Sequence, residues 1–290
     1  MPSTNKKEDA PYCKPLLKWV GGKTQILPTV LEQFPDLKEG DAYIEPFLGG
    51  ASVLLGALSC GKIGPGVHVF ASDINAHLVN FYSQIRSSPD KLITKIRALL
   101  ATMTVDELEK RYYEERTRFN ENEDDPIMAA ARFWFLNKTS FRGVYREGPR
   151  GYNVPFGHPK TLPNLDEAHF KSVSELVQRV TFTRESYETA LEKVSAAGMC
   201  FAYLDPPYAP VDANSFVAYT AGGFDHLAFF EQCKNLTSPW LMSNANVELV
   251  RETFPASEFD VRSIQARRAI HSKDPSASAS EVLISSPRAH

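Results

Sequence analysis

An acidic tetrapeptide with two prolines follows an apolar run near residue 200. Asp205-Pro-Pro-Tyr208 comes directly after Cys200–Leu204, which has the composition of a buried strand. Polar groups beside a buried strand cost free energy unless they are used. The two prolines stiffen the loop and remove backbone donors, so carbonyls remain free to accept hydrogen bonds. An amine conjugated to a ring attacks only when acceptors hold its hydrogens, and the Asp205 carboxylate with the Pro206 carbonyl could be those acceptors.

The tyrosine of this tetrapeptide supplies an aromatic face beside the acceptors. A base stacked on Tyr208 would gain roughly 1–3 kcal/mol. Direct displacement of a methyl group from a sulfonium depends on positioning and needs no covalent enzyme intermediate. None of the four cysteines follows a proline, as the nucleophile of a cytosine C5 methyltransferase would. The tetrapeptide therefore predicts methyl transfer to an exocyclic amine, and a rigid turn without chemistry is the alternative for the motif taken alone.

A second candidate site lies in an alternation of strand and helix patterns. Its parts are the apolar run Tyr43–Phe47, the pair Gly49-Gly50, the helical pattern Ser52–Leu58, and the run Val67–Ser72 ending at Asp73. In a βαβ nucleoside site, the glycine turn lets the ligand approach the backbone and the acid binds ribose hydroxyls. The pattern lacks G-x-G-x-x-G, which favours an adenosyl ligand without a pyrophosphate over NAD. A structural glycine turn, common in any α/β protein, is the alternative.

The segment 18–24 has the lysine and glycines of a phosphate loop but not its spacing. The P-loop pattern requires a glycine five residues before Gly22, where the chain has Leu17. The sequence therefore does not support a P-loop NTPase. A lysine and a tryptophan here could pair with a carboxylate and stack on an aromatic ring, and a loop that starts a helix is the alternative.

Residues 137–160 combine positive charge with aromatic side chains. Five basic residues against the single acid Glu147 give a local formal charge of +4 (5 − 1). A base must be turned out of a duplex, at roughly a few kcal/mol, before its amine can react, so the nucleic acid has to be gripped. Solvated faces are the alternative, but two basic clusters in an acidic chain favour contacts to phosphates and bases. The clusters are Lys138, Arg142, Arg146, Arg150 and Lys160, interleaved with Phe141, Tyr145, Tyr152 and Phe156, and then Arg262, Arg267, Arg268 and Lys273.

Length and composition limit the class of protein. With 290 residues, 43% hydrophobic, 23% charged and a formal net charge of −3, the chain can bury one substantial core and a modest second lobe. We expect a soluble cytoplasmic protein, since no apolar run reaches membrane-spanning length and no secretory leader is present. Four scattered cysteines without a C-x-x-C pair predict neither a disulfide framework nor a metal site.

The order of the patterns predicts an α/β fold with a parallel sheet and an insertion. We expect a disordered tail at 1–13, a catalytic domain at 14–85 and 165–290, and an insertion at 86–164. Within the insertion, Asp90 to Trp134 is predicted to be helical, charged and solvated. Residues 137–163, here called the arm, are broken by glycines and prolines and are predicted to be a β-hairpin or loop.

Taken together, these segments resemble the Dam-type family (D12 class, alpha group) of DNA adenine-N6 methyltransferases from about residue 15 to residue 284. The motifs that carry the resemblance are KWVGGK at 18–23, EPFLGG at 45–50, SDIN at 72–75, NKTSFRGVYREGPRGYNVPFG at 137–157, YLDPPYAP at 203–210, LMSN at 241–244 and ARRAI at 266–270. The resemblance implies a Rossmann-like S-adenosylmethionine-dependent methyltransferase sheet with an inserted helical and β-hairpin target-recognition domain.

The resemblance also implies roles for particular residues. It assigns S-adenosylmethionine contacts to Trp19, Lys23, Asp73 and Asp205, a pocket lining to Phe47 and Gly49, and the catalytic tetrad to Asp205, Pro206, Pro207 and Tyr208. Arg146 matches the arginine that reads guanine in the major groove, with Tyr145 and Pro155 beside it. The remaining DNA-binding residues are expected to be Lys138, Arg142, Arg150, Arg267 and Arg268. The resemblance implies a target of GATC or a related short palindrome, and this chain departs from the usual family arm at Arg142 and Gly148, where the family usually has Asn.

The implied partner is double-stranded DNA, with no membrane, no metal and a monomeric chain. A nucleoid-associated cytoplasmic location is expected, or a nuclear or viral-factory location if the source is eukaryotic or viral, and the enzyme could be solitary or part of a restriction-modification pair. An N-methyltransferase acting on RNA or on a protein side-chain amide is an alternative, which the basic aromatic arm disfavours. A DNA-binding module without catalysis is a third hypothesis, which the intact tetrapeptide disfavours.

Overall fold

A computed structural model of the chain describes residues 12–196, 199–210, 223–267 and 278–286. Seven strands form one sheet: β1 (Ala42–Glu45), β2 (His68–Asp73), β5 (Val180–Arg184), β6 (Cys200–Leu204), β7 (Trp240–Ala245), β8 (Asp260–Arg267) and β9 (Ser278–Ser285). Two short strands, β3 (Glu147–Gly148) and β4 (Gly151–Tyr152), form a separate antiparallel hairpin. In the sheet the order is β5-β2-β1-β6-β7-β9-β8.

Helices cover both faces of the sheet. They are α1 (Leu27–Glu32), α2 (Ser52–Ser59), α3 (Ala76–Ser87), α4 (Pro89–Leu100), α5 (Leu108–Glu121), α6 (Pro126–Thr139), α7 (Glu167–Leu176), α8 (Tyr187–Ala196), α9 (His226–Asn235) and α10 (Glu248–Thr253). Side chains cap four of the described helices at their first turn by accepting from backbone N–H groups: Asn75 for α3, Asp125 for α6, Asp166 for α7 and Asp225 for α9. None of these helices is long and apolar enough to cross a membrane.

The sheet has the topology of a nucleotide-binding α/β fold. Strands β5, β2, β1, β6 and β7 are parallel, and β9 runs antiparallel between β7 and β8. Strands β2 and β5 lie on one side of β1, and the later strands β6 and β7 lie on the other, so the strand order reverses between β1 and β6. Ligands of open α/β sheets bind beyond the carboxyl ends of the strands at such a reversal. The predicted α/β fold is confirmed, and the ends of β1 and β6 mark its candidate site.

Side chains of β1 alternate between the two faces of the sheet and so belong to two separate core clusters. Tyr43 of β1 joins the larger cluster, which includes α2, α3, α4, α6 and α7, whereas Ala42 and Ile44 join the cluster that includes α9. Side chains of a strand point to opposite faces in turn. All five residues of β6 and all six of β7 are buried, as expected for central strands covered on both sides.

The helical part of the insertion is less solvated than the sequence indicated. Phe133, Trp134 and Phe135 of α6 are buried in the same cluster as Val69 of the sheet. The prediction of a solvated segment is therefore wrong for α6, although it holds for most of α5. The charged residues that suggested a solvated segment belong mostly to α5, and Arg132 of α6 is buried in ion pairs with Glu115 and Asp124.

The predicted disordered tail, residues 1–13, extends too far, because Tyr12 and Cys13 are part of the folded structure. Tyr12 packs against the larger core cluster, and the Cys13 backbone N–H donates to Ser59 Oγ at 2.9 Å. Residues 1–11 lie outside the described part of the chain.

The arm is a small hairpin seated on α5 and α6. Its base is closed by a bridge between Ser140 and Phe156, by a bond from Phe141 N to Pro155 O at 2.9 Å, and by one from Gly157 N to Thr139 O at 2.8 Å. The Tyr112 hydroxyl of α5 donates to the Val154 carbonyl at 2.8 Å. The predicted hairpin is therefore confirmed, with strands of only two residues each.

Candidate active site

Three acids lie at the carboxyl ends of neighbouring strands, as the motifs require. Glu45 ends β1, Asp73 ends β2, and Asp205 directly follows β6. Lys23 reaches this edge from a segment 182 residues earlier, and its Nζ lies 2.6 Å from Asp205 Oδ2. The same ammonium donates to the Gly21 carbonyl at 2.5 Å. The structure thus brings together two predicted site residues that the sequence places far apart.

The Asp205 carboxylate has one engaged oxygen and one available oxygen. The side chain is 19% exposed and Lys23 is 4% exposed, so the ion pair is largely withdrawn from solvent. Within the described residues, the buried Oδ1 atom has no hydrogen-bond partner. Burial raises the pKa of Asp205, and the Lys23 ammonium acts against that rise. A fixed carboxylate with a free acceptor is suited to an amine hydrogen.

The turn after β1 is tied to the end of β2. Asp73 Oδ2 accepts from the Gly49 backbone N–H at 3.0 Å, and Oδ1 accepts from Asn75 N at 2.9 Å. Burial raises the pKa of Asp73, and these backbone donors oppose the rise. Gly49 has a φ of +48°, which favours glycine. The predicted ribose acid and glycine turn are therefore one hydrogen-bonded unit.

Trp19 lies directly on that glycine turn. A Cβ atom at Gly50 would be 2.8 Å from Trp19 Cβ, and one at Gly49 would be 3.0 Å from Trp19 Cδ1. Only glycines permit this close approach, because the Trp19 side chain itself occupies the space where a Cβ atom would lie. The glycine turn after β1 and the acid that ends β2 match the layout of an adenosyl site, so the residues present fit S-adenosylmethionine. Trp19 also stacks with Tyr145 of the arm, with ring centroids 5.8 Å apart and planes at 26°.

Tyr145 and Phe47 belong to two different groups of packed aromatic rings. The Tyr145 hydroxyl donates to Glu147, so this half-buried ring bridges the arm and the Trp19 face. Phe47 stacks on Tyr187, with centroids 5.7 Å apart, and lies edge-on to Phe229. Phe47 is half-buried and belongs to an aromatic group on the α8 and α9 side.

Two polar residues that the motifs do not single out hold the tetrapeptide in place. Tyr208 donates from its hydroxyl to Glu281 Oε2 at 2.8 Å, and Asn244 Oδ1 accepts from Ala209 N at 3.0 Å. Lys23 Nζ lies 5.0 Å from the centroid of the Tyr208 ring. The LMSN motif contained the one signal for Asn244. Glu281 could have been noticed as an acid at the start of an apolar strand.

Glu45 is a buried carboxyl that keeps its proton at neutral pH. It is 2% exposed, and its Oε2 accepts from the Tyr43 hydroxyl at 2.6 Å. Burial raises the pKa of Glu45 from 4.5 to about 8, against the lowering effect of the Tyr43 hydrogen bond. A largely neutral Glu45 leaves Asp205 as the main anionic partner of Lys23.

Replacing Glu45 by glutamine is expected to stabilise the protein more as pH rises. The folded-state pKa lies above the unfolded one, so the folded state binds the proton more tightly and the free energy of unfolding falls between pH 4.5 and about 8. Glutamine keeps an acceptor for Tyr43 and does not titrate. At about 1.4 kcal/mol per pH unit, the difference should reach several kcal/mol above this window. Thermal unfolding of both proteins across the window measures it, and a pH-independent difference would contradict the assignment.

The arm presents arginines to solvent. Arg142, Arg146 and Arg150 are exposed, as are Pro155 and Lys160. Arg146 is fixed in place, because its Nε donates to Asn153 Oδ1 at 2.6 Å and its Nη2 to the Asn153 carbonyl at 3.3 Å.

The remaining arm residues differ in setting. Arg142 has a φ of +55°, and its guanidinium lies 5.2 Å from the Phe141 ring, which is 48% exposed. Lys138 is half-buried, and burial, with the nearby Lys18 charge, lowers its pKa to about 8. A Cβ at Gly148 would be 2.5 Å from Asn153 Nδ2, so this glycine makes room for the residue that fixes Arg146.

The second basic cluster is only partly described. Arg262 is exposed on β8 and pairs with Asp260 at 3.2 Å. Arg267 is the last residue of β8. Arg268 and Lys273 lie outside the described residues. In the described ranges, no group of three His, Cys, Asp or Glu side chains is placed to hold a metal ion.

The fold and the site define a Rossmann-like, S-adenosylmethionine-dependent methyltransferase. The sequence profile of the D12 class N6 adenine-specific DNA methyltransferases matches residues 19–270, and the chain belongs to this family. The enzyme transfers a methyl group from S-adenosylmethionine to the N6 amine of adenine in DNA. The predictions of family, activity and cofactor are thereby confirmed.

Similar proteins span nearly the whole chain. Type II methyltransferase M.MjaIII of Methanocaldococcus jannaschii is 36% identical over 277 residues, which cover 90% of this chain and 93% of that protein. DNA adenine methylase of Escherichia coli K12 is 32% identical over 266 residues, 88% of each chain. The solved structure of an rRNA methyltransferase from Streptomyces viridochromogenes matches 90% of this chain and 82% of that chain with a TM-score of 0.32 and 12% identity, a likeness too weak to carry an argument.

Proposed function

We propose that this enzyme methylates an adenine turned out of duplex DNA, within GATC or a related short palindrome, and that Asp205 and Pro206 hold the N6 amine while Tyr208 stacks on the base. One observation carries the proposal: Asp205 is fixed through one oxygen by Lys23 and keeps its buried Oδ1 free. Trp19, Asp73 and the Gly49 turn would hold the cofactor beside it.

In the proposed reaction, the protein residues orient the amine and accept its protons. When bound, S-adenosylmethionine supplies an electrophilic methyl group on a sulfonium. Asp205 Oδ1 and the Pro206 carbonyl accept the two amine hydrogens, which directs the nitrogen lone pair toward that methyl. As the new C–N bond forms and the C–S bond breaks, the amine must lose a proton. The burial that raises the pKa of Asp205 makes this carboxylate a better acceptor for that proton.

The insertion 86–164 would bind and read the DNA. Its helices share the core of the catalytic domain, so the arm is carried on a rigid support close to the cofactor turn. Exposed Arg142, Arg146 and Arg150 provide positive charge on the hairpin. Asn153 engages one edge of the Arg146 guanidinium and leaves the other edge open for a bidentate contact to guanine O6 and N7. We expect a monomer with one such arm, which sedimentation of the protein with and without DNA tests.

Arg146→Ala is expected to relax base choice at one position of the target. Loss of a bidentate contact costs about 1–3 kcal/mol of discrimination against the wrong base. Arg150→Ala is a matched control on the same hairpin, which should weaken binding to all sequences alike and reduce its salt dependence. Competition binding to a library of single-base variants, at fixed salt, measures both effects. Equal effects of the two variants on every sequence would remove the distinction between reading and positioning.

The first experiment is methyl transfer from labelled S-adenosylmethionine to unmethylated genomic DNA, followed by nucleoside analysis and mapping of the modified positions. N6-methyladenine confined to one short palindrome supports the proposal and identifies the target. Methylation at scattered adenines contradicts the proposed specificity. Label in RNA or protein instead of DNA contradicts the proposed substrate.

A further inference from the structure

The ring of Tyr208 is held by an acid 73 residues further along the chain. Its hydroxyl donates to Glu281 Oε2 at 2.8 Å. Glu281 lies on β9 opposite Ala245 of β7 and is followed by the buried residues 282–284. The acceptor is therefore mounted on the ordered interior of the sheet.

The backbone beside Tyr208 is held by Asn244, which lies next to Ala245 on β7. Asn244 is fully buried, and its Oδ1 accepts from Ala209 N at 3.0 Å and from Ala245 N at 2.8 Å. Asn244 pairs with Val282, the neighbour of Glu281. Two consecutive residue pairs of β7 and β9 thus supply Glu281, which fixes the Tyr208 hydroxyl, and Asn244, which fixes the backbone of the next residue.

The hydroxyl of Tyr208 is a permanent donor in this setting. Burial raises the pKa of Tyr208 well above its usual value, and the carboxylates of Asp205 and Glu281 add to the rise. The proton therefore stays on the tyrosine hydroxyl. That hydroxyl donates to the Glu281 carboxylate in a charge-assisted hydrogen bond, which is stronger than a neutral one. A group that must meet its substrate productively has to be held to about 0.5 Å and 10–20° by its neighbours.

We propose that Glu281 is a positioning residue for methyl transfer, which holds the Tyr208 ring in the plane that stacks on the target adenine. The inference rests on the proposed role of Tyr208. Glu281 acts through the tyrosine hydroxyl, and the target base meets the ring. Its removal should slow the methyl-transfer step while DNA and cofactor binding are kept.

A double-mutant cycle tests this inference. Single-turnover methylation rates, DNA and cofactor affinities and melting temperatures are measured for wild type, Glu281→Ala, Tyr208→Phe and the double variant. We expect each single change to lower the rate roughly tenfold or more, and the double variant to be no slower than the slower single variant. Glu281→Gln keeps an acceptor and should restore most of the rate. Glu252→Ala removes an exposed acid of α10 and should match wild type.

The outcomes separate the inference from the proposed function. A wild-type rate for Glu281→Ala, or losses that multiply in the double variant, would overturn the positioning role. A drop in the melting temperature of Glu281→Ala that accounts for the lost rate, without rescue by glutamine, would also overturn it. Full activity of Tyr208→Ala would overturn the proposed stacking role itself, whatever Glu281 does.

Discussion

Asp205→Asn is expected to lower the single-turnover rate of methyl transfer by about 10²–10⁴-fold. Asparagine has nearly the same shape, but it is neutral and offers only one oxygen, so an amine hydrogen and the Lys23 ammonium compete for it. Its NH2 group also presents two N–H donors at a position where one of the two carboxylate oxygens now accepts. The reaction then lacks both the second acceptor for the amine and the base for its proton. Burst methylation of a short duplex under single-turnover conditions measures the loss.

The same change has a cost in stability that the motif alone does not reveal. Lys23 is 4% exposed, so neutralising Asp205 leaves a buried ammonium without its counter-charge. Breaking a fully buried pair costs roughly 3–5 kcal/mol, and the 19% exposure of Asp205 places the cost here below that range. Asp205→Ala removes the same counter-charge, so we expect a measurable destabilisation of that variant as well.

A paired variant separates activity from stability. Asp205→Asn combined with Lys23→Met removes both charges and should recover most of the lost free energy of unfolding without recovering methyl transfer. Chemical denaturation and single-turnover rates of the two variants provide the comparison. Near-wild-type methylation by either variant would remove Asp205 from the proposed mechanism.

The fold could be predicted where the signal is local. Apolar runs closed by glycines or acids identified β1, β2, β6 and the helix between the first two, because a covered parallel strand is apolar throughout. Strand β8 was missed, since its few apolar residues stand among polar ones at the outer edge of the sheet, and Arg262 and Arg267 read as a basic cluster. Helix α6 was misjudged because the charged pattern of α5 was extended over it, although α6 is mostly apolar.

The candidate site also has residues that the sequence predicts and contacts that it does not. The tetrapeptide at 205 and the glycine turn at 49 are contiguous in sequence, and their types alone state their chemistry. The contacts of Glu281 and Asn244 with the tetrapeptide depend on the register of β7 and β9. The bond from Arg146 to Asn153 depends on the register of the hairpin. Register is a property of the folded sheet, so no spacing in the chain predicts it.

Gly157→Ala is expected to weaken specific DNA binding strongly while leaving cofactor binding intact. A Cβ at this position would lie 2.4 Å from the Ser140 carbonyl oxygen, 2.6 Å from its carbon and 2.9 Å from Phe141 N. All three atoms are backbone, so no side chain can rotate away, and the base of the arm must open. The bond from Gly157 N to Thr139 O and the bridge between Ser140 and Phe156 would be lost with it.

The glycine turn of the cofactor site is held by Asp73, which lies outside the arm, and this predicts that cofactor binding and DNA binding separate in the variant. Overpacking costs roughly 1–3 kcal/mol, enough to unseat a two-strand hairpin but not the core beneath it. Gly64→Ala is the matched control, because a Cβ there meets no atom within 4 Å. Titrations with duplex DNA and with S-adenosylhomocysteine should show DNA affinity reduced at least about tenfold in Gly157→Ala alone, with cofactor affinity unchanged in both variants. Tight, sequence-specific DNA binding by Gly157→Ala would mean that the arm does not read the target.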